Sequence, residues 1–159
     1  MKTAIIIGAS TGIGRATALA LSGKYNSISI TSFKHKEELL SLRDELMAKG
    51  CICYCETGDA GDMEFMEKFI QNTIDHLGSD IDLLINNAGI SYVGLINDMT
   101  AQDFDRTMKS NVYSVFNSCR LVVPHMIQHH KGHIINISSV WGNVGASCAV
   151  SYTHLRAHE

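Results

Sequence analysis

At 159 residues, 45% apolar and 18% charged, the chain is long enough to bury one sizeable core and too apolar for disorder. Its net charge of -3, with 13 Lys and Arg scattered among 16 acids, leaves no broad basic field, so nucleic acid is not an expected partner. No apolar run approaches the ~20 residues that span a bilayer, and a strand pattern that starts directly after Met1 leaves no export signal, so no membrane partner is expected and the expected setting is cytoplasmic. The odd number of cysteines, five, then reads as reduced thiols.

Lys2 to Ile7 reads as a first strand, apolar on both faces, as befits a central parallel strand covered by helices. It breaks into Gly8-Ala9-Ser10-Thr11-Gly12-Ile13-Gly14-Arg15. Glycines in such a turn let a pyrophosphate approach the backbone, and the amides of Gly12 to Arg15 at the helix start would face it. Ala16, Ala18, Leu19, Ala20 and Leu21 carry the helix, with Gly23 as its closing signal. Ser27 to Thr31 is the second strand and Ser32 to Lys36 the turn after it. A site that prefers NAD usually places a carboxylate here, on the ribose hydroxyls; Thr31-Ser32-Phe33-Lys34-His35-Lys36 contains none.

Lys36 to Lys49 predicts an amphipathic helix with Leu39, Leu40, Leu42, Leu46 and Met47 inward, ended by Gly50. In the third strand, Cys51 to Glu56, Cys51, Cys53 and Cys55 share one face; three successive sulfurs on one face lack the usual tetrahedral spacing, so they read as core packing and no metal site is expected. Asp62 is the expected N-cap of a helix with Met63, Phe65, Met66, Phe69, Ile70, Ile74 and Leu77 on its apolar face. Ile81 to Ile85 is the fourth strand, ending in Asn86-Asn87-Ala88-Gly89. This alternation implies parallel βαβ units and an α/β, Rossmann-type doubly wound parallel sheet with helices on both faces.

Thr100-Ala101-Gln102-Asp103 resembles a capping box that opens one long helix to about His129, with Pro124 bending its last turns. His129, His130 and His133 fall at its polar end, as a solvated cap. Ile134 to Ile137 is the fifth strand and delivers Ser138 and Ser139 at its carboxyl end, the edge where open parallel sheets bind ligands.

Four co-linear stretches, Gly8-x-x-x-Gly12-x-Gly14, Asp59, Asn86-Asn87-Ala88-Gly89 and Ile134 to Gly142, resemble the short-chain dehydrogenase/reductase family from Met1 to about Cys148. Within it the chain is similar to the bacterial 3-oxoacyl-acyl-carrier-protein reductases. Gly94-Leu95 with Asp98-Met99-Thr100, and Ser138 to Gly142 with Gly145-Ala146-Ser147-Cys148, also resemble the 5-aminopentanone reductase that acts on modified elongation factor P.

The resemblance implies hydride transfer from NADPH to a small-molecule or carrier-bound carbonyl, in a protein that forms a dimer or tetramer of identical chains. Lack of an acid at Ser32, with Lys34 close by, favours NADP(H) over NAD(H), although Thr11 stands where many NADP-preferring relatives carry a basic residue. The resemblance places Gly8, Gly12 and Gly14 at the cofactor phosphates with Ser10, Thr11 and Ile13 in the same turn, and Asp59 at the adenine amino group. It places Asn87, Ala88 and Gly89 near the adenosine ribose, with bracing of the sheet as the other reading of Asn87. Ser139 would hydrogen-bond the carbonyl oxygen, Asn111 would hold a relay water, and a tyrosine would protonate the oxygen, its pKa lowered by a lysine four residues later. Tyr152 stands at the expected spacing after Ser139, but Arg156 occupies the lysine position, and arginine cannot give up its proton.

Val150 to Glu159 fits no helix of the family. It can be back-translated as GTC TCT TAT ACA CAT CTC CGA GCC CAC GAG, which resembles a transposon-type sequencing adapter read in frame. Residues 1–149 are therefore expected to be the N-terminal, NADP-binding part of a reductase and 150–159 a non-native tail that contains Tyr152 by coincidence. As written, the chain is expected to hold strands one to five without the C-terminal part of the fold, and to be inactive.

Overall fold

The computed structural model describes residues 2–142; Tyr152, Arg156 and the rest of the tail lie outside the described residues. The element order is β1 (Thr3–Ile7), α1 (Gly12–Leu21), β2 (Ser27–Ser32), α2 (Lys36–Ala48), β3 (Ile52–Thr57), α3 (Met63–Leu77), β4 (Ile81–Asn86), α4 (Ala101–Met108), a π turn (Lys109–Tyr113), α5 (Ser114–Gln128) and β5 (His133–Asn136). The five strands form one sheet in the order β3-β2-β1-β4-β5, and every pairing is parallel. The chain therefore reverses direction across the sheet between β1 and β4.

Alternation along β1 divides the core. Ala4 and Ile6 join Ile28, Ile30, Leu83, Ile85 and the inward residues Ala18, Leu39, Leu42 and Leu46 of α1 and α2 on one face. Ile5 and Ile7 join Ile81, Leu84 and the residues Met66, Phe69, Ile70, Val122 and Met126 of α3 and α5 on the other. All five β1 residues are buried because both faces are covered, as the sequence pattern implied. Cys53 and Cys55 pack with buried Cys51 on the α1–α2 side, while Tyr54 packs on the α3–α5 side. The sulfurs thus share a face, with Cys51 in the core and Cys53 and Cys55 half-buried against it.

The serines of β2 are buried, and Ser29 Oγ meets Thr73 Oγ1 of α3 at 2.7 Å. Several expectations are corrected. Met47 is 54% exposed, because the buried stripe of α2 follows Leu39, Leu42 and Leu46 and Met47 falls one position beyond it. Helix α1 closes at Ser22, whose amide donates to Leu19 O, one residue before Gly23. β3 begins at Ile52 rather than Cys51. His133 opens β5 instead of capping the helix; His130 takes a left-handed φ of 51° and Gly132 a φ of 150°, which turn the chain early.

The long helix is interrupted rather than continuous. Thr100 and Asp103 form the reciprocal capping box, but the Ser114 amide reaches back to Lys109 O, a five-residue step that widens the helix between α4 and α5. α5 then runs on through Pro124. Asp62 caps α3 as expected, accepting from Phe65 N at 3.1 Å. No helix among the described residues is long and apolar enough to cross a membrane.

Candidate functional site

At the reversal point a cleft of about 440 Å³ opens beyond the carboxyl ends of β1, β2, β3 and β4. Its lining includes Gly8, Ser10, Thr11, Lys34, Asp59, Asn87, Ala88 and Gly89, eight of the positions singled out from sequence. The strand ends bring these together from four separate stretches of chain.

The glycine turn is shaped by backbone demands. Gly8 has a φ of 82° and Gly12 a φ of 56°, both left-handed, and a Cβ on Gly8 would stand 2.7 Å from the Ala88 backbone. Gly8 N and Ala9 N both donate to Thr31 O at 2.9 Å, which pins the turn to β2. Ser32 Oγ donates to Ser10 Oγ at 3.0 Å. Gly14 does not line the cleft; it is buried under the turn, where a Cβ would collide with Gly8 O and lie 2.6 Å from Asn87 Nδ2. Ile13 is 63% exposed and does not line the cleft either. The first turn of α1 has no acidic residue and its N-cap residue Thr11, which lines the cleft, makes no side-chain cap bond to it.

Asn87 Nδ2 donates to Gly8 O at 2.7 Å, so its amide braces β4 against the glycine turn. Asn111 lies in the π turn and spends both ends of its amide on one residue: Ile90 N donates to its Oδ1 and its Nδ2 donates to Ile90 O, each at 2.8 Å. Ser139 is half-buried just past β5, with Oγ accepting from Trp141 N at 3.3 Å. β5 is held in register by Ile137 N, which donates to Asn86 O at 2.8 Å, and by Asn86 Nδ2, which donates to Asn136 Oδ1 at 2.8 Å. The buried Ser118 hydroxyl completes that network by donating to Asn86 Oδ1 at 2.7 Å. Tyr152 lies outside the described residues.

Lys34, His35, Arg106 and Lys109 also line the cleft, and of its described lining residues Asp59 alone is acidic. Asp59 Oδ1 accepts from Gly61 N at 2.9 Å and Oδ2 faces Lys109 Nζ at 3.1 Å. Arg106 and Lys109 were not singled out from sequence. Their three-residue spacing on one helical face offered a signal, but which face meets the cleft depends on where the helix is laid across the sheet.

The sequence profile of the short chain dehydrogenase family matches residues 2–154. A 3-oxoacyl-[acyl-carrier-protein] reductase of Staphylococcus aureus (strain Mu50) is 33% identical over 156 residues, 98% of this chain and 63% of that protein. An NADPH-dependent pterin aldehyde reductase of Arabidopsis thaliana is 33% identical over 152 residues, 95% of this chain and 62% of its own length. Among solved structures, a 3-ketoacyl-ACP reductase from Sinorhizobium meliloti 1021 superposes with a TM-score of 0.91 at 29% identity, covering 98% of this chain and 61% of that one. The chain thus spans less than two thirds of the length of these relatives.

Proposed function

Since the chain belongs to the short-chain dehydrogenase/reductase family, we propose that it is the dinucleotide-binding part of an NADPH-dependent reductase of carbonyl compounds, similar to 3-oxoacyl-acyl-carrier-protein reductase. The single observation that carries the reading is the cleft at the β1/β4 reversal, with the glycine turn, the uncapped start of α1 and a cationic rim converging on it. A dinucleotide fits this donor set: the α1 amides would meet a pyrophosphate, and the left-handed glycines allow the tight turn that leads into them. When bound, the nicotinamide supplies a hydride to the carbonyl carbon.

The chain's own residues would do the rest. Gly8, Ser10, Thr11, Gly12 and Ile13 would hold the phosphates, with Gly14 as the packing contact that lets α1 come close. Lys34 would meet a 2′-phosphate; it lines the cleft together with Arg106, Lys109 and His35, and no acid stands at the end of β2, which supports NADP(H) over NAD(H). Asp59 would accept from the adenine amino group, and Asn87, Ala88 and Gly89 would border the adenosine ribose. Ser139 would donate to the carbonyl oxygen, and Asn111 would order the relay water beside the turn it braces. Residues 1–149 are taken as this domain and 150–159 as a foreign tail, in a cytoplasmic protein that self-associates when intact and acts on a small-molecule or carrier-bound carbonyl, an aminopentanone on modified elongation factor P being the alternative substrate.

For the chain as it stands, dinucleotide binding without turnover is the second reading, favoured by Arg156 at the position of the family lysine. Fluorescence titration of the 159-residue chain with NADPH and NADH tests the cofactor assignment. Saturable binding with NADPH the tighter is expected; no saturable response to either overturns it. Added carbonyl substrate should then leave bound NADPH unconsumed, and steady turnover would reject the second reading.

A further inference from the structure

The turn that carries Asp59 is fixed from the π turn and α5, not only from its own strand. A Cβ on Gly61 would stand 2.5 Å from Lys109 O and 2.6 Å from Lys109 Cγ, so glycine lets the turn close directly onto the lysine stem. Asn117 Nδ2, buried on α5, donates to Ala60 O at 3.1 Å. With the turn clamped in this way, Asp59 is held at both oxygens, Oδ1 by Gly61 N and Oδ2 by Lys109 Nζ. A carboxylate offers about four lone-pair sites, so about two remain for a donor in the cleft.

We infer that Lys109 is a positioning residue that fixes the plane of the Asp59 carboxylate and thereby makes the site select a 6-amino purine over a 6-oxo purine. The inference rests on the cofactor reading above. The side chains of Lys109 and Asp59 are 48% and 32% exposed, so the pair adds little to the stability of the fold and its effect falls on the ligand. Held by Gly61 N alone, the carboxylate would turn about its own bond, and its free lone pairs would no longer be aimed. An adenine amino group donates a hydrogen bond and would feel this change; the C6 oxygen of hypoxanthine accepts one and has nothing to gain from a carboxylate.

The test is a fluorescence titration with NADPH and with its hypoxanthine analogue, reduced nicotinamide hypoxanthine dinucleotide phosphate, on the wild-type chain, Lys109→Met, Lys109→Arg and Asp59→Asn. Lys109→Met is expected to weaken NADPH about fivefold more than it weakens the analogue, the range of a partly exposed ion pair; any loss of cationic charge from the cleft falls on both dinucleotides alike. Lys109→Arg should restore NADPH binding, and Lys109→Met should add nothing to that difference in an Asp59→Asn background. Equal loss for both dinucleotides, or no loss for either, overturns the role of Lys109 and leaves the cofactor reading intact. Failure of the wild-type chain to bind NADPH overturns both.

Discussion

Asn87 and Gly14 meet under the glycine turn: the Asn87 amide that donates to Gly8 O at 2.7 Å would lie 2.6 Å from any Cβ placed on Gly14. The end of β4, the turn after β1 and the first turn of α1 are therefore packed as one unit, and the aim of the α1 amides depends on a missing side chain.

Gly14→Ala is expected to push α1 away from the turn. The overpacking should cost about 1–3 kcal/mol in urea unfolding and weaken NADPH binding as the amides shift. An unchanged unfolding midpoint together with unchanged affinity would show that the contact relaxes freely.

The buried stripe of α2 can be separated from its neighbour. Leu46→Ala removes a fully buried side chain and is expected to cost about 2–5 kcal/mol. Met47→Ala, one residue on, alters a side chain 54% exposed, and its cost should stay within about 0.5 kcal/mol. Equal losses in denaturant unfolding would place the helix face wrongly.

The fold should weaken in alkali. Burial pushes the Cys53 thiol from 9.0 up to about 12, and burial with a hydrogen bond to Glu56 pushes the Tyr54 phenol from 10.0 up to about 12. Both values are raised, so above pH 9.0 the unfolded chain gives up protons that the folded chain keeps. The contribution is complete below pH 9.0 and is lost as pH rises toward about 12. Urea midpoints measured across this window should fall more gently in Cys53→Val than in wild type; parallel curves would remove Cys53 from the effect.

At the cofactor rim, Lys34→Glu places a carboxylate beside the proposed 2′-phosphate. NADPH affinity is expected to drop on the order of tenfold relative to NADH, through loss of a charge-assisted contact and added repulsion. A parallel change in both cofactors would locate the 2′-phosphate elsewhere.

Much of the fold was legible because its signals are local. The two-residue alternation of Ala4, Ile5, Ile6 and Ile7 states that both faces of β1 are covered, and Gly8 and Gly12 mark the left-handed turn. The capping box at Thr100 and the cap at Asp62 were equally plain. The errors fell where tertiary packing chooses: the outward turn of Met47, and the π turn inside a helix whose pattern reads as continuous.

Which segments become strands and helices, and that the first strand runs through a glycine turn into a helix start, could be read from the chain alone, because each depends on residues within a turn or two of one another. The order β3-β2-β1-β4-β5, the cationic lining around Lys34, Arg106 and Lys109, and the pairing of Lys109 with Asp59 emerge only once the chain is folded. Those relations join residues far apart in the chain. They arise when crossover helices pack onto a twisted sheet, and no local period encodes where that packing sets them down.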